Sequence, residues 1–399
     1  MQGIDENGDE TMKALVIAST AGFVRAFLRH DMELLQKMGY EVHCAANGVN
    51  HSFEPNEYFD TMSVVYHQID FAPRSPFSKD TLKAAKQFFE LNRQYQFDVI
   101  HCHTPIVGAI VRIVGMPAWL LKKHKIIYTT HGLAFPKGCP RKDKIIYGSI
   151  ERLCSQLCDA VITINREDYA VMKTFARGRV YYINGVGVNV RKFHDVEIDR
   201  DEYRKSIGVS KDDILILAVG ELSTRKNHRA IIQALHEMND HRYVLVICGK
   251  AMIGEGTYEQ LRRLAEATGV RVCFLGFRRD IPEITNCADI AVLPSIREGL
   301  GLAGVEALAS GVPVIGSAVQ GIKDYVIDGK TGFLCDPHDS SMFARRIKEL
   351  SNPNLREKMR SFCVEKANEF STEVSYQQME IIYNEILEGM KGPDDRCLH

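Results

Sequence analysis

No stretch of the 399-residue chain holds the roughly 18 or more successive apolar residues that a membrane-crossing helix needs. Charge of one sign is also missing: 50 Lys and Arg stand against 51 Asp and Glu, a net charge of −1. A duplex-binding protein carries a basic excess, so nucleic acid is not an expected partner. The eleven cysteines form no C-x-x-C pair, and Cys154 and Cys158 lack histidines at zinc-ligand spacing. Cys44, Cys102, Cys248, Cys273 and Cys335 fall inside apolar runs, where they behave as small hydrophobes. A reduced, cytoplasmic setting is expected. Residues 1–12 have no apolar core of the signal-peptide kind and are expected to be a disordered tail. Internal repeats and low-complexity tracts are absent as well.

What is present is a rhythm. Short β-branched runs recur at 13–19, 40–46, 64–69, 97–103, 125–131, 160–165 and 180–184, then at 214–220, 243–249, 270–276, 290–295, 313–318 and 331–336. Near-continuous apolar runs of this length suit strands buried on both faces, as in parallel sheets. Amphipathic stretches separate them, among them 23–39 and 228–238. Strand–helix alternation predicts doubly wound α/β domains. A chain of this length is expected to hold two. The polar stretch 194–213 is the best linker candidate, with a solvated surface helix as its alternative. The expected domains are 13–190 and 191–373, and the segment 374–399 brings a closing helix and tail.

In open α/β sheets ligands bind beyond the carboxyl ends of the strands. There the sequence reads PSIREGLGLAGVEALASGVPV (294–314), with Glu298 and Glu306 bracketing Gly299, Gly301 and Gly304. Glycines at a helix start let an anion meet the backbone amides. Two carboxylates at the same place suit hydroxyl groups rather than phosphate. Together they describe a nucleotide sugar. GLGLAG also matches the dinucleotide fingerprint, but the next strand ends in Ser317 and Ala318 rather than in an acid, and Glu306 has no part in that scheme. A glycosidase pairs carboxylates too, yet needs no anion site between them.

The run Pro-Ser-x-x-Glu-Gly-x-Gly-x-x-x-x-Glu-Ala-x-Ala-x-Gly-x-Pro-Val resembles the signature of retaining glycosyltransferases of family four. The segments 98–105, 128–138, 150–168, 219–228 and 274–284 resemble a subgroup that builds bacterial capsule, exopolysaccharide and lipid-linked oligosaccharides. The resemblance implies the GT-B fold: two Rossmann-like domains facing a cleft, an acceptor-binding one first and a nucleotide-sugar-binding one second, with the last helix closing back on the first. It implies transfer of a sugar from a UDP-sugar to a glycan acceptor, with retention by front-side attack and with no metal or other cofactor. Two other readings share such folds: a non-hydrolysing UDP-sugar epimerase, and a catalytically silent nucleotide-sugar-binding protein.

By the same resemblance Glu306 would hold the donor ribose, Glu298 the donor sugar, and the backbone at Gly299, Leu300 and Gly301 the diphosphate. Lys226 and Arg225 would offset the charge of the leaving UDP. Glu221 stands where the family carries an arginine. Gly22, after the first strand, would admit the diphosphate, and His131 would sit near the reacting carbon. His103 is expected on the acceptor side. Trp119, Lys122 and Lys123, with Lys137 and Arg141 beside Phe135, join aromatic to basic residues. That mixture suits an anionic membrane surface and a polyprenyl-diphosphate-linked acceptor, hence a peripheral place at the inner face of the cell membrane. Solvated loops around an inward-packed tryptophan are the plainer reading.

Overall fold

The computed structural model describes residues 11–49, 53–71, 78–136, 138–251 and 256–388. Lys137 and most of the two expected tails therefore lie outside the described residues. The chain divides into two compact units, one of residues 1–186 with 375–399, the other of residues 187–374.

The first unit carries seven strands: β1 (Lys13–Thr20), β2 (Glu41–Asn47), β3 (Val65–Gln68), β4 (Val99–His103), β5 (Lys125–Thr130), β6 (Ala160–Thr163) and β7 (Arg179–Tyr182). They lie in the order β3-β2-β1-β4-β5-β6-β7, all parallel. The second carries β8 (Ile214–Val219), β9 (Tyr243–Cys248), β10 (Val272–Gly276), β11 (Ile290–Leu293), β12 (Val314–Ser317) and β13 (Gly332–Cys335), in the order β10-β9-β8-β11-β12-β13. Both are doubly wound Rossmann-like sheets, and the order reverses between β1 and β4 and between β8 and β11. Each expected run forms a strand. Leu15, Val16 and Ile17 in β1 are fully buried without alternation, because helices cover both faces.

Two expectations change. The 23–39 segment forms two helices, Ala21–Phe27 and Arg29–Lys37, broken at Leu28 (φ −116°, ψ 11°). Leu28 is fully buried, and no proline or glycine marks the break. The second correction concerns 194–213, which is folded against the second unit rather than strung out as a linker. Asp199 caps the helix Arg200–Ser206 through the amides of Asp201 and Glu202. The Asp199-Arg200-Asp201 run is thus a helix start. Arg200 and Arg204 reach the buried Asp289 at 2.9 and 3.3 Å, joined by Arg356 at 3.1 Å. The helix Thr372–Leu387 returns to the first unit from Ser375 onward.

In the first unit a buried ion pair, Arg112 Nη1 to Glu151 Oε1 at 2.8 Å, joins two helices under Tyr128, whose ring lies 3.8 Å from the guanidinium. Removing one member would leave the other charge buried and unpaired, so this pair is a structural element.

Candidate active site

The second unit's switch point lies between β8 and β11, and the loops leaving those strands meet there. After β8, Ser223 caps a short turn, Thr224–Lys226, through the Lys226 amide. Asn227 follows at φ 53°, a left-handed position that asparagine tolerates. Its side-chain amide donates to the Pro294 carbonyl at 3.0 Å and the Pro337 carbonyl at 2.8 Å, tying three loops together. The Ile296 amide donates to the Arg225 carbonyl at 2.9 Å.

These ties bring Lys226, Arg225 and Glu298 into one cluster. Lys226 Nζ lies 2.5 Å from Glu298 Oε2, and Arg225 Nη1 lies 3.3 Å from the same oxygen. Ser295 donates to it at 3.2 Å, while the Glu298 amide donates to the Gln320 side chain at 3.2 Å. Arg225 also meets Glu221 at 3.0 Å and the Arg297 carbonyl at 3.0 Å. Burial pushes the Glu298 carboxyl up, but the charges of Lys226 and Arg225 outweigh it, and the group sits below its ordinary range. It is therefore an acceptor of hydrogen bonds, suited to hydroxyl groups.

Glu306 stands apart from that cluster, in the helix Leu302–Ala309 that begins at Gly301 (φ 81°). Among the described residues no hydrogen bond reaches its carboxylate. Burial pushes its carboxyl up to about 7, with Lys192 pulling the other way. The glycines divide their duties. Gly301 supplies the left-handed turn, while a side chain at Gly304 would come within 2.3 Å of the Tyr325 hydroxyl. That hydroxyl donates to the Gly301 carbonyl at 2.9 Å. Leu300 is buried, so only its backbone is offered. At Gly321 a Cβ would come within 2.3 Å of the Gly299 carbonyl oxygen. Gly304 thus serves packing. Sequence reasoning missed Gln320, Asn227 and Tyr325. Asparagine before a helix was the one readable signal among them.

In the first unit Gly22 lies in the first turn of Ala21–Phe27, where the Thr20 hydroxyl already takes the Phe23 amide at 3.2 Å. The ring of Phe23 stands edge-on to His131, centroids 4.8 Å apart. His131 Nε2 lies 3.1 Å from His103 Nδ1. His103 is 1 % exposed and stands beside His131. Trp119 is packed inward, the plainer of its two readings. Its indole donates to Asp159 at 2.9 Å and its ring packs against the core. Phe135 is buried and faces Phe175, centroids 6.1 Å apart. Lys122, Lys123 and Arg141 are exposed. Leu120 and Leu121 beside the lysines are exposed as well, as is Ile145 in the helix that Arg141 opens.

Two Rossmann-like units, one with a cation–carboxylate cluster at its switch point, have counterparts among known proteins. Anabaena HepE, solved in complex with UDP, aligns with a TM-score of 0.74 at 19% identity, over 94% of this chain and all of that one. The pattern described as "Glycosyltransferase Family 4" matches residues 28–186, and that of "Glycosyl transferases group 1" matches residues 199–369. The Bacillus subtilis protein named "Putative glycosyltransferase EpsD" is 34% identical over 382 residues, covering 94% of this chain and 97% of that protein. An Escherichia coli protein named for transfer of galactose from UDP-Gal to GlcNAc-diphosphoundecaprenol is 26% identical over 298 residues, 71% of this chain and 74% of its own. The chain belongs to the family-four glycosyltransferases, with a GT-B fold, and is an enzyme of sugar transfer.

Proposed function

We propose that the chain transfers a sugar from a UDP-sugar to a glycan acceptor linked to polyprenyl diphosphate, in synthesis of a bacterial cell-surface polysaccharide, with retention and without a metal. The observation that carries this reading is the cluster of Lys226, Arg225 and Glu298 beside the 299–301 backbone, with Glu306 in the helix that follows. It pairs cations for a leaving diphosphate with acceptors for sugar and ribose hydroxyls. Glu298 is held by three donors, Lys226, Arg225 and Ser295, so it is not offered as a nucleophile. Front-side attack, in which the leaving phosphate oxygen takes the acceptor proton, fits such a site. An epimerase or a silent binding protein would bind UDP equally, but neither would give an acceptor-bound product.

Thermal unfolding with UDP, GDP, ADP and NAD tests the donor site. At 100 times its dissociation constant UDP should stabilise the second unit by about 2.7 kcal/mol. Glu306→Ala should abolish most of that rise. A rise with NAD, or UDP binding untouched by the substitution, would overturn the assignment.

No described helix is long and apolar enough to cross a membrane. Membrane contact is proposed through Leu120 and Leu121 beside Lys122 and Lys123, with Arg141 and Ile145 nearby in sequence, all exposed. Vesicles containing anionic lipid should pellet the protein. Lys122→Ala with Lys123→Ala should weaken that about 30-fold, at about 1 kcal/mol per lysine near the surface. An intact protein that ignores such vesicles at low salt would sink the idea.

A further inference from the structure

Three imidazoles stand at the carboxyl edge of the first unit's sheet. His101 and His103 alternate along β4, so both side chains point to one face, with ring centroids 4.1 Å apart. His103 pairs in register with Thr129 of β5, and His131 follows that strand directly. Behind them two other elements deliver polar groups: Tyr383 from the helix Thr372–Leu387, and Asp31 from the helix Arg29–Lys37.

With Asp31 ionised, the hydrogen bonds place most of the protons. Tyr383 donates to Asp31 Oδ1 at 3.4 Å. Its oxygen then accepts from His101 Nδ1 at 2.6 Å. A neutral imidazole has one proton, so His101 Nε2 accepts from the Thr129 hydroxyl at 2.7 Å. Both nitrogens of His101 are engaged. His103 is different. Its Nδ1 faces His131, while its Nε2 is buried with no partner among the described residues. A nitrogen of His103, a nitrogen of His101 and a carboxylate oxygen of Asp31 lie within 4.8 Å of one another. Asp31, His103, Thr129 and His131 line one pocket with room for a water to bridge them.

We propose that Asp31 is a positioning residue whose carboxylate, acting through His103, decides which nitrogen of His131 carries the proton. With Asp31 ionised, the His103 proton is drawn to Nε2. His103 Nδ1 then accepts from His131 Nε2, and His131 Nδ1 is left as an acceptor. With Asp31 neutral, His103 carries its proton on Nδ1 and donates it, and His131 bears its own on Nδ1 as a donor. The two arrangements differ by one proton on Asp31 and a shift of one proton on each ring.

Burial pushes the Asp31 carboxyl up to about 7, with the Tyr383 hydrogen bond pulling down, so the changeover falls near neutrality. The titratable groups facing it are His101 and His103 from β4, His131 after β5, and Tyr383 and Tyr376 from the last helix. His30 on its own helix lines the same pocket. Burial holds His101 and His131 to about 3 and 4, and His103 well below its ordinary value, so the rings stay neutral while Asp31 titrates.

The role of His131 in sugar transfer rests on the proposed function, but the proton placement does not. The experiment is 15N NMR of full-length protein labelled at histidine, with the signals assigned through His131→Gln and His103→Gln. The His131 nitrogens should exchange pyrrole-like and pyridine-like character as pH passes through about 7 in wild type, and hold one pattern in Asp31→Asn. Tyr383→Phe removes the hydrogen bond that favours ionised Asp31, so its changeover should move to higher pH. That variant keeps the idea testable if Asp31→Asn does not fold. A His131 pattern independent of pH, or a changeover that persists in Asp31→Asn, would overturn the proposal. UDP binding, followed separately by thermal shift, reports on the glycosyltransferase reading alone.

Discussion

Replacing Lys226 with alanine should lower turnover about 100- to 1,000-fold, the usual loss when one preorganised stabiliser of developing charge is removed. The reason is geometric. Gly220, which ends the β8 turn at φ 152°, lies so close to the Lys226 stem that a Cβ there would stand 3.1 Å from Lys226 Cε. The lysine is thus laid over the strand end, where open sheets bind ligands. Its ammonium lies 2.5 Å from the Glu298 carboxylate. Arg225 is a weaker candidate for the same work, being a third exposed and shared among Glu298, Glu221 and the Arg297 carbonyl. The fold should tolerate the change, because Glu298 keeps Arg225 and Ser295 as partners. The measurement is UDP release from whichever UDP-sugar wild type consumes, alongside the melting temperature. A variant within threefold of wild type, with its melting temperature unchanged, would remove Lys226 from the mechanism.

Glu221 shows how such a site is balanced. Two cations and two carboxylates meet at the end of β8, where the family's usual pattern would add a third cation. Arg225 is therefore divided between Glu221 and Glu298, while Lys226 meets Glu298 alone of the two. The sequence showed the substitution, but only the structure shows that it engages Arg225.

The strands were legible because double-sided burial forces continuous apolar runs, and the helix after Gly301 because glycine and small residues announce it. Lys226, Arg225 and Glu298 were legible as residues that follow strands. Their meeting across 72 positions depends on β8 and β11 being neighbours, which follows from the Rossmann order. What stayed hidden depends on partners far apart in sequence. Asp31 reads as the solvated side of an amphipathic helix, and Tyr383 lies 352 residues away from it. Arg200 and Arg204 read as surface charge, yet converge with Arg356 on the buried Asp289. Trp119 stayed open between two readings for the opposite reason: an exposed-looking tryptophan beside lysines has its indole proton taken by Asp159, 40 positions on.

Acid should unfold the first unit well before the second. In the first, burial lowers His67 to about 4, His101 to about 3 and His131 to about 4. In the unfolded chain each takes a proton near the ordinary value of about 6.5. Below that value the unfolded state binds more protons, so their contribution to stability is complete above about pH 6.5 and is lost as pH falls toward 4. Asp31 opposes them. Raised to about 7, it binds a proton in the folded state that the unfolded chain has released, so stability from it grows as pH falls. Three protons against one leave a net of two in the first unit. At about 1.36 kcal/mol per proton and pH unit, lowering pH from 6.5 to 4.5 costs it about 5 kcal/mol. His43, His103 and His124, all lowered by burial, add in the same direction. In the second unit His228, lowered to about 4, is matched by Glu306, raised to about 7, and the two cancel. A loss of about 5 kcal/mol rivals the whole stability of many domains. Calorimetry at pH 7.5 and 5 should therefore show one transition falling steeply while the one that UDP raises stays nearly fixed. Two transitions that fall together, or a first unit indifferent to acid, would mean that these histidines find their protons in the folded state.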